Sequence, residues 1–168
     1  VGMIKKRLAG NQIIVAYLRK VKAFDSFTVK PQLTAKKLGK IFKAHAGVKI
    51  TKNNKSIDLI FEAIRREEDW ENKLIDRMKY YIDFYESFVQ FDSGFAIKPQ
   101  LVLVCEDNKH MVEVLKVIVT NKLEIPGIKL LFTTDLRQNS DSLDKSLVEF
   151  KIEDGKYKME EVTLKALE

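Results

Sequence analysis

Glu62 is the residue of this chain best placed to do chemistry. It lies inside the apolar run Ile57 to Ile64, with Asp58 four residues before it and Arg65-Arg66 just after that run. In an extended strand the even-numbered side chains share one face, so Asp58, Glu62 and Arg66 fall on the same side with Ile60 and Ile64 between them. A carboxylate in that setting has two ordinary uses. It can help hold a divalent cation, which needs further carboxylates and a basic residue close by to place a water for phosphodiester hydrolysis. It can also form a buried structural ion pair, for which Arg66 is the expected partner.

Other chemistries find little support. His45 and His110 are the only histidines, sit on different predicted elements, and read as surface or capping residues rather than a metal pair. The seven glycines form neither of the usual phosphate-binding loops, and there is no nucleophile elbow. The single Cys105 leaves no internal disulfide and no multi-cysteine zinc site, and its place at the end of an apolar run marks a packed, inert thiol.

Charge is the second signal. Residues 1–56 hold fourteen Lys or Arg and one acidic residue, Asp25, while the rest of the chain holds sixteen basic and twenty-three acidic residues. The net charge of +6 therefore conceals a strongly basic first third and an acidic remainder. Basic density of this kind is the footprint of phosphate binding, because each cation near a phosphate releases a condensed counterion. DNA is the expected partner, with Lys36, Lys37, Lys40, Lys43, Lys49, Lys52, Arg65 and Arg66 as the candidate contacts. The competing explanation is pairing with the acidic remainder; a membrane surface is disfavoured because the basic residues lack a continuous amphipathic helix with bulky anchors.

These residues need elements to position them. Ile4 to Lys20 is predicted as a helix weakened by Gly10, and Phe24 to Val29 as a short strand stopped by Pro31. Thr34 to Lys43 suits a short helix or an irregular basic loop. Gly47 to Thr51 and Ile57 to Ile64, joined by Lys52-Asn53-Asn54-Lys55, form a hairpin. A long helix follows, N-capped by Asp69, with Trp70, Leu74, Met78, Tyr81, Tyr85 and Phe88 on its core face. After a break at Asp92-Ser93-Gly94, Leu101 to Cys105 is a second buried strand. A helix capped by Asn108 runs to about Leu123 with Val112, Leu115, Ile118 and Val119 inward. Ile128 to Thr133 is a third buried strand, reached by a parallel crossover. Gln138 to Lys145 reads as a polar surface loop. Leu147 to Ile152 and Tyr157 to Val162 close the chain as an antiparallel hairpin around Glu153-Asp154-Gly155-Lys156. The fold class is α/β, a mixed central sheet flanked by helices, and 168 residues suit one domain. Val1-Gly2-Met3 reads as a cloning remnant. With no apolar run near the roughly 18 residues that span a bilayer and no signal peptide, a cytoplasmic location is expected.

Ala46-Gly47-Val48, Phe61-Glu62-Ala63-Ile64-Arg65-Arg66, Lys73-Leu74 with Tyr80-Tyr81, and Pro99 to Val104, in this order of elements, resemble the PD-(D/E)XK nuclease-like fold. More narrowly they are similar to the replication-relaxation family of plasmid and mobile-element proteins, over roughly residues 11–152. The resemblance implies a restriction-endonuclease-like core and a role in plasmid replication, transfer or their regulation. It also implies a winged helix-turn-helix ahead of this domain in the natural protein, so that the chain would be a fragment. Two positions depart from the nuclease pattern. Ile64 stands where the motif's lysine belongs, and His45-Ala46 stand where its first acid would fall near Gly47. Lys49 is the candidate for a relocated lysine. The expectation is a non-catalytic DNA-binding protein needing no cofactor. The alternatives are a divergent Mg²⁺-dependent nuclease using Glu62 and a protein-interaction module.

Overall fold

The two runs without polar alternation, Ile57 to Ile64 and Leu101 to Cys105, become neighbouring strands at the centre of a sheet covered on both faces. A computed structural model describes residues 2–91, 94–139, 143–154 and 156–164. The chain runs through α1 (Gly2–Lys20), β1 (Phe24–Val29), β2 (Gln32–Ala35), β3 (Lys40–Lys43), β4 (Ala46–Lys52), β5 (Lys55–Ala63) and α2 (Trp70–Glu86). It continues through β6 (Gln100–Cys105), α3 (Asn108–Thr120), β7 (Leu131–Thr134), α4 (Asp135–Asn139), a 3-10 turn (Leu143–Lys145), β8 (Val148–Glu153) and β9 (Lys156–Glu161).

Seven strands make one mixed sheet in the order β1-β4-β5-β6-β7-β8-β9. β5, β6 and β7 are parallel and the outer pairings antiparallel. Two crossovers through α2 and α3 account for the parallel centre. On one face α1 lays Ile13 and Tyr17 against Val48, Phe61 and Val104. On the other face α2 and α3 lay Leu74, Met78, Tyr81, Val114 and Ile118 against Ile60, Leu101 and Leu103. No helix among the described residues is long and apolar enough to cross a membrane.

Several local expectations are corrected. Thr34 to Lys43 is neither helix nor irregular loop; its ends belong to the two-stranded hairpin β2-β3, which packs on α2. Leu33, Ala35 and Phe42 are its buried side chains, and Gly39 takes a left-handed turn conformation (φ 61°). The lysines between them obscured this alternation. The carboxylate of Asp83 on α2 accepts the backbone N–H groups of Lys37 (3.2 Å) and Leu38 (2.7 Å) and so fixes the hairpin's turn.

Asp69 precedes α2 as expected but lies in the left-handed region (φ 60°), and its side chain does not cap the helix. For α3 the cap is Asp107, which accepts the His110 N–H at 2.7 Å, not Asn108. The inward residues of α3 include Met111 and Val114, and Val112 is exposed. His110 is fully buried rather than on the surface, and Trp70 packs edge-on against its ring. The third buried strand begins at Leu131. Within the predicted loop from Gln138, Gln138 and Leu143 are buried; residues 140–142 lie outside the described residues. So do Val1, Asp92, Ser93 and Gly155. Met3 and Ile4 belong to α1, and the final hairpin forms where predicted.

A candidate nucleic-acid interface

The end of β5, the start of α2 and the segment entering β4 enclose a cleft of about 340 Å³. Glu62 lines it from β5, Lys43 from the end of β3, His45 from the two-residue link to β4, and Lys73 and Arg77 from α2. Lys6 of α1 and Glu67 close its rim. The backbone explains why these groups meet. β4 ends its pairing with β5 at Ala46 and Phe61, and the His45 N–H still reaches the Phe61 carbonyl at 2.9 Å. Two residues on, the Ala63 N–H has no β4 partner on that side and donates instead to Nδ1 of His45 at 3.2 Å. The imidazole thus completes the hydrogen bonding of β5 where β4 gives out.

Gly10 is needed for this arrangement. A Cβ built on it would lie 2.7 Å from the His45 carbonyl oxygen, so only a glycine lets α1 approach so closely.

Glu62 is 4% exposed, and both its oxygens are engaged. Oε1 accepts Nε of Arg77 at 2.7 Å; Oε2 accepts the second guanidinium nitrogen at 3.0 Å and the Tyr81 hydroxyl at 2.8 Å. Nδ1 of His45 lies 3.4 Å from Oε2. That nitrogen can accept from Ala63 when the ring is neutral or, if protonated, face Glu62, but not both. Burial by itself would raise the carboxyl's pKa. The Arg77 guanidinium and His45 outweigh that and bring Glu62 down to about 2. Tyr81, buried beside the carboxylate, is held well above the usual phenol range. Arg77 is itself fixed, donating to the Lys43 carbonyl and lying over the Phe42 ring with 4.8 Å to its centroid. At the rim, Lys6 pairs with Glu67, and Lys73 donates to the Glu68 carbonyl at 2.8 Å. Among the described residues, no three His, Cys, Asp or Glu side chains come together as a metal site.

Of the residues singled out from the sequence, the structure brings Glu62 and Lys43 to this cleft, together with the buried Arg65 at its edge. Glu62 is an ion-pair carboxylate as one reading held, but its partner is Arg77 and not Arg66. Arg66 turns to an acidic group instead, donating to Asp107 at 2.8 Å and Glu113 at 3.0 Å. Arg65 is 4% exposed, donating to the carbonyls of Ile64 and Val104 and to Asp135. Arg65 is thus closed off from solvent, whereas Arg66 is exposed with its guanidinium held among carboxylates. Lys36, Lys37 and Lys40 lie toward the β2-β3 turn, where Lys37 pairs with Glu86 at 2.7 Å. Lys49 stands opposite Asp58 in the sheet register and 3.7 Å from Asp25, and it does not line the cleft. It therefore supplies no replacement for the missing lysine. Lys52 ends β4, opposite Lys55. Cys105 is buried, and burial pushes its thiol up, as an inert core residue requires.

Arg77, Lys6 and the role of His45 were not read from the sequence, and Lys73 was noted there only within a motif and not as a residue of this cleft. For Arg77 a signal existed: it stands three residues after Leu74 and four before Tyr81, on the face of α2 that packs on β5. Lys6 arrives from the far end of the sequence and carries no such mark.

No family model, curated protein or solved structure matches this chain.

Proposed function

We propose that this chain is a non-catalytic DNA-binding protein on a degenerate nuclease-like core, of the replication-relaxation kind that serves plasmid or mobile-element replication or transfer. The observation that carries the reading is the state of Glu62. Three of its four lone-pair positions are taken by Arg77 and Tyr81, so a cation chelated by both oxygens would have to displace a two-pronged guanidinium. Ile64 supplies no lysine beside it. What remains around the carboxylate is a cationic cleft, with Lys6, Lys43, Lys73 and Arg77 set around two carboxylates that are already paired. Lys43 and Lys73, which line it, suit the phosphates of a strand passing over the cleft. Such contacts hold and orient the backbone without reading sequence.

The test is fluorescence anisotropy with labelled single-stranded and duplex DNA across about 50 to 200 mM salt. Affinity should fall steeply with salt, and Lys43→Glu with Lys73→Glu should weaken it about ten-fold or more for both strands and any sequence. Binding indifferent to salt and to those changes rejects the proposal. Parallel incubation of supercoiled DNA with Mg²⁺ or Mn²⁺ should give no cleavage that depends on Glu62; cleavage lost in Glu62→Gln would establish the nuclease alternative.

A further inference from the structure

Helix α1 is apolar on two faces. Ala9, Ile13, Ala16 and Tyr17 turn to the sheet and are buried. Ile4, Leu8, Val15 and Leu18 lie on another face and remain 64%, 55%, 43% and 54% exposed. With Asn11 they step by four, three, four and three residues, the spacing that keeps one seam of a helix facing a second helix. At about 3.6 residues per turn these five positions occupy an arc of only about 80°. A helix that had only to cover the sheet would be polar on its outer side. A contiguous exposed apolar seam is instead what an interaction surface presents. Asn11 in the middle of it is the kind of polar seam residue that fixes register and partner.

The borders of the seam identify the partner's chemistry. Arg7 flanks it on one side, and Lys5, Gln12 and Arg19 on the other; all are exposed, and α1 contains no acidic residue. A second copy laid seam to seam, in either direction, would set cationic and neutral borders against each other with no opposing carboxylate. The seam itself offers DNA four apolar side chains and one asparagine, and no cation. We propose that it docks an amphipathic helix of a partner protein, with apolar residues at heptad spacing and Glu or Asp along both borders.

Two synthetic helical peptides test this, sharing one leucine seam and carrying either Glu or Lys along both borders. Their binding to the full chain is read by fluorescence anisotropy. The Glu peptide should bind at least about ten-fold more tightly than the Lys peptide. Leu8→Glu with Val15→Glu, both at exposed positions, should weaken the Glu peptide by a similar factor while the thermal transition of the chain stays in place. Arg7→Glu with Arg19→Glu should reverse the preference between peptides. Equal binding of the two peptides, no saturable binding, or binding unmoved by the seam changes overturns the proposal. Self-association of the chain in sedimentation velocity, abolished by the seam changes, would overturn it in favour of a second copy as the occupant.

Discussion

A buried carboxylate keeps its charge only if the surroundings replace the water it lost, and Glu62 shows how much replacement that takes: a bidentate guanidinium and a phenol. Its folded pKa of about 2 lies below the ordinary 4.5, so its contribution to stability is complete above about pH 4.5 and disappears as pH falls towards 2. The size expected from that shift is on the order of 3 kcal/mol. Urea melts at a series of pH values should show this loss in the parent. In Glu62→Gln, which is less stable at pH 7, the gap to the parent should close over the same window. A gap independent of pH would mean that folding does not shift the Glu62 pKa. Removing the other partner is the harsher change. Arg77→Met strands Glu62 in the interior and should cost roughly 3–5 kcal/mol by urea unfolding, part of which returns when Glu62→Gln is added.

The elements meet through a few close approaches. Glycine inside a helix ordinarily lowers stability by about 1 kcal/mol relative to alanine. At Gly10 that preference is overridden, because the added Cβ would press on the His45 backbone and push α1 away from the start of β4. Gly10→Ala should therefore destabilise by roughly 1–3 kcal/mol in thermal melts, where an unhindered helical site would gain. A rise in the melting temperature would show that the helix can shift without strain. Asp83 performs a comparable task at the far end of α2, where its two backbone contacts fasten the β2-β3 hairpin whose other end carries Lys43 to the cleft.

Across the whole molecule the basic first third of the chain is divided among several places rather than gathered into one patch. Lys6 and Lys43 reach the cleft, Lys36, Lys37 and Lys40 the hairpin turn, Lys49 and Lys52 the far half of β4, and Lys5, Arg7 and Arg19 the borders of the α1 seam. Part of that charge is answered within the chain, by Glu67, Glu86 and Asp25. The cleft and the seam share no residue, so their functions should separate. Lys43→Glu with Lys73→Glu should reduce DNA affinity and leave binding of the acidic peptide unchanged. Leu8→Glu with Val15→Glu should do the reverse, both measured by anisotropy at one salt concentration. Loss of both bindings in either variant would indicate a single shared surface.

The sequence alone determined the mixed sheet flanked by helices, the two central strands, the β4-β5 and C-terminal hairpins and the core face of α2, because each follows from apolar runs, turn residues and helical spacing close together in the chain. It also placed Ile64, and not a lysine, two residues after Glu62. It concealed the β2-β3 hairpin, where lysines interrupt a short alternation that becomes meaningful only when Leu33 and Phe42 pack on α2. The partner of Glu62 was decided by tertiary structure: Arg66 is near in sequence, but the chain leaves β5 and carries it to Asp107 and Glu113, while α2 folds back and sets Arg77 over the carboxylate. Spacing along a strand says which side chains share a face; it does not say which group from a distant element will come to rest against them.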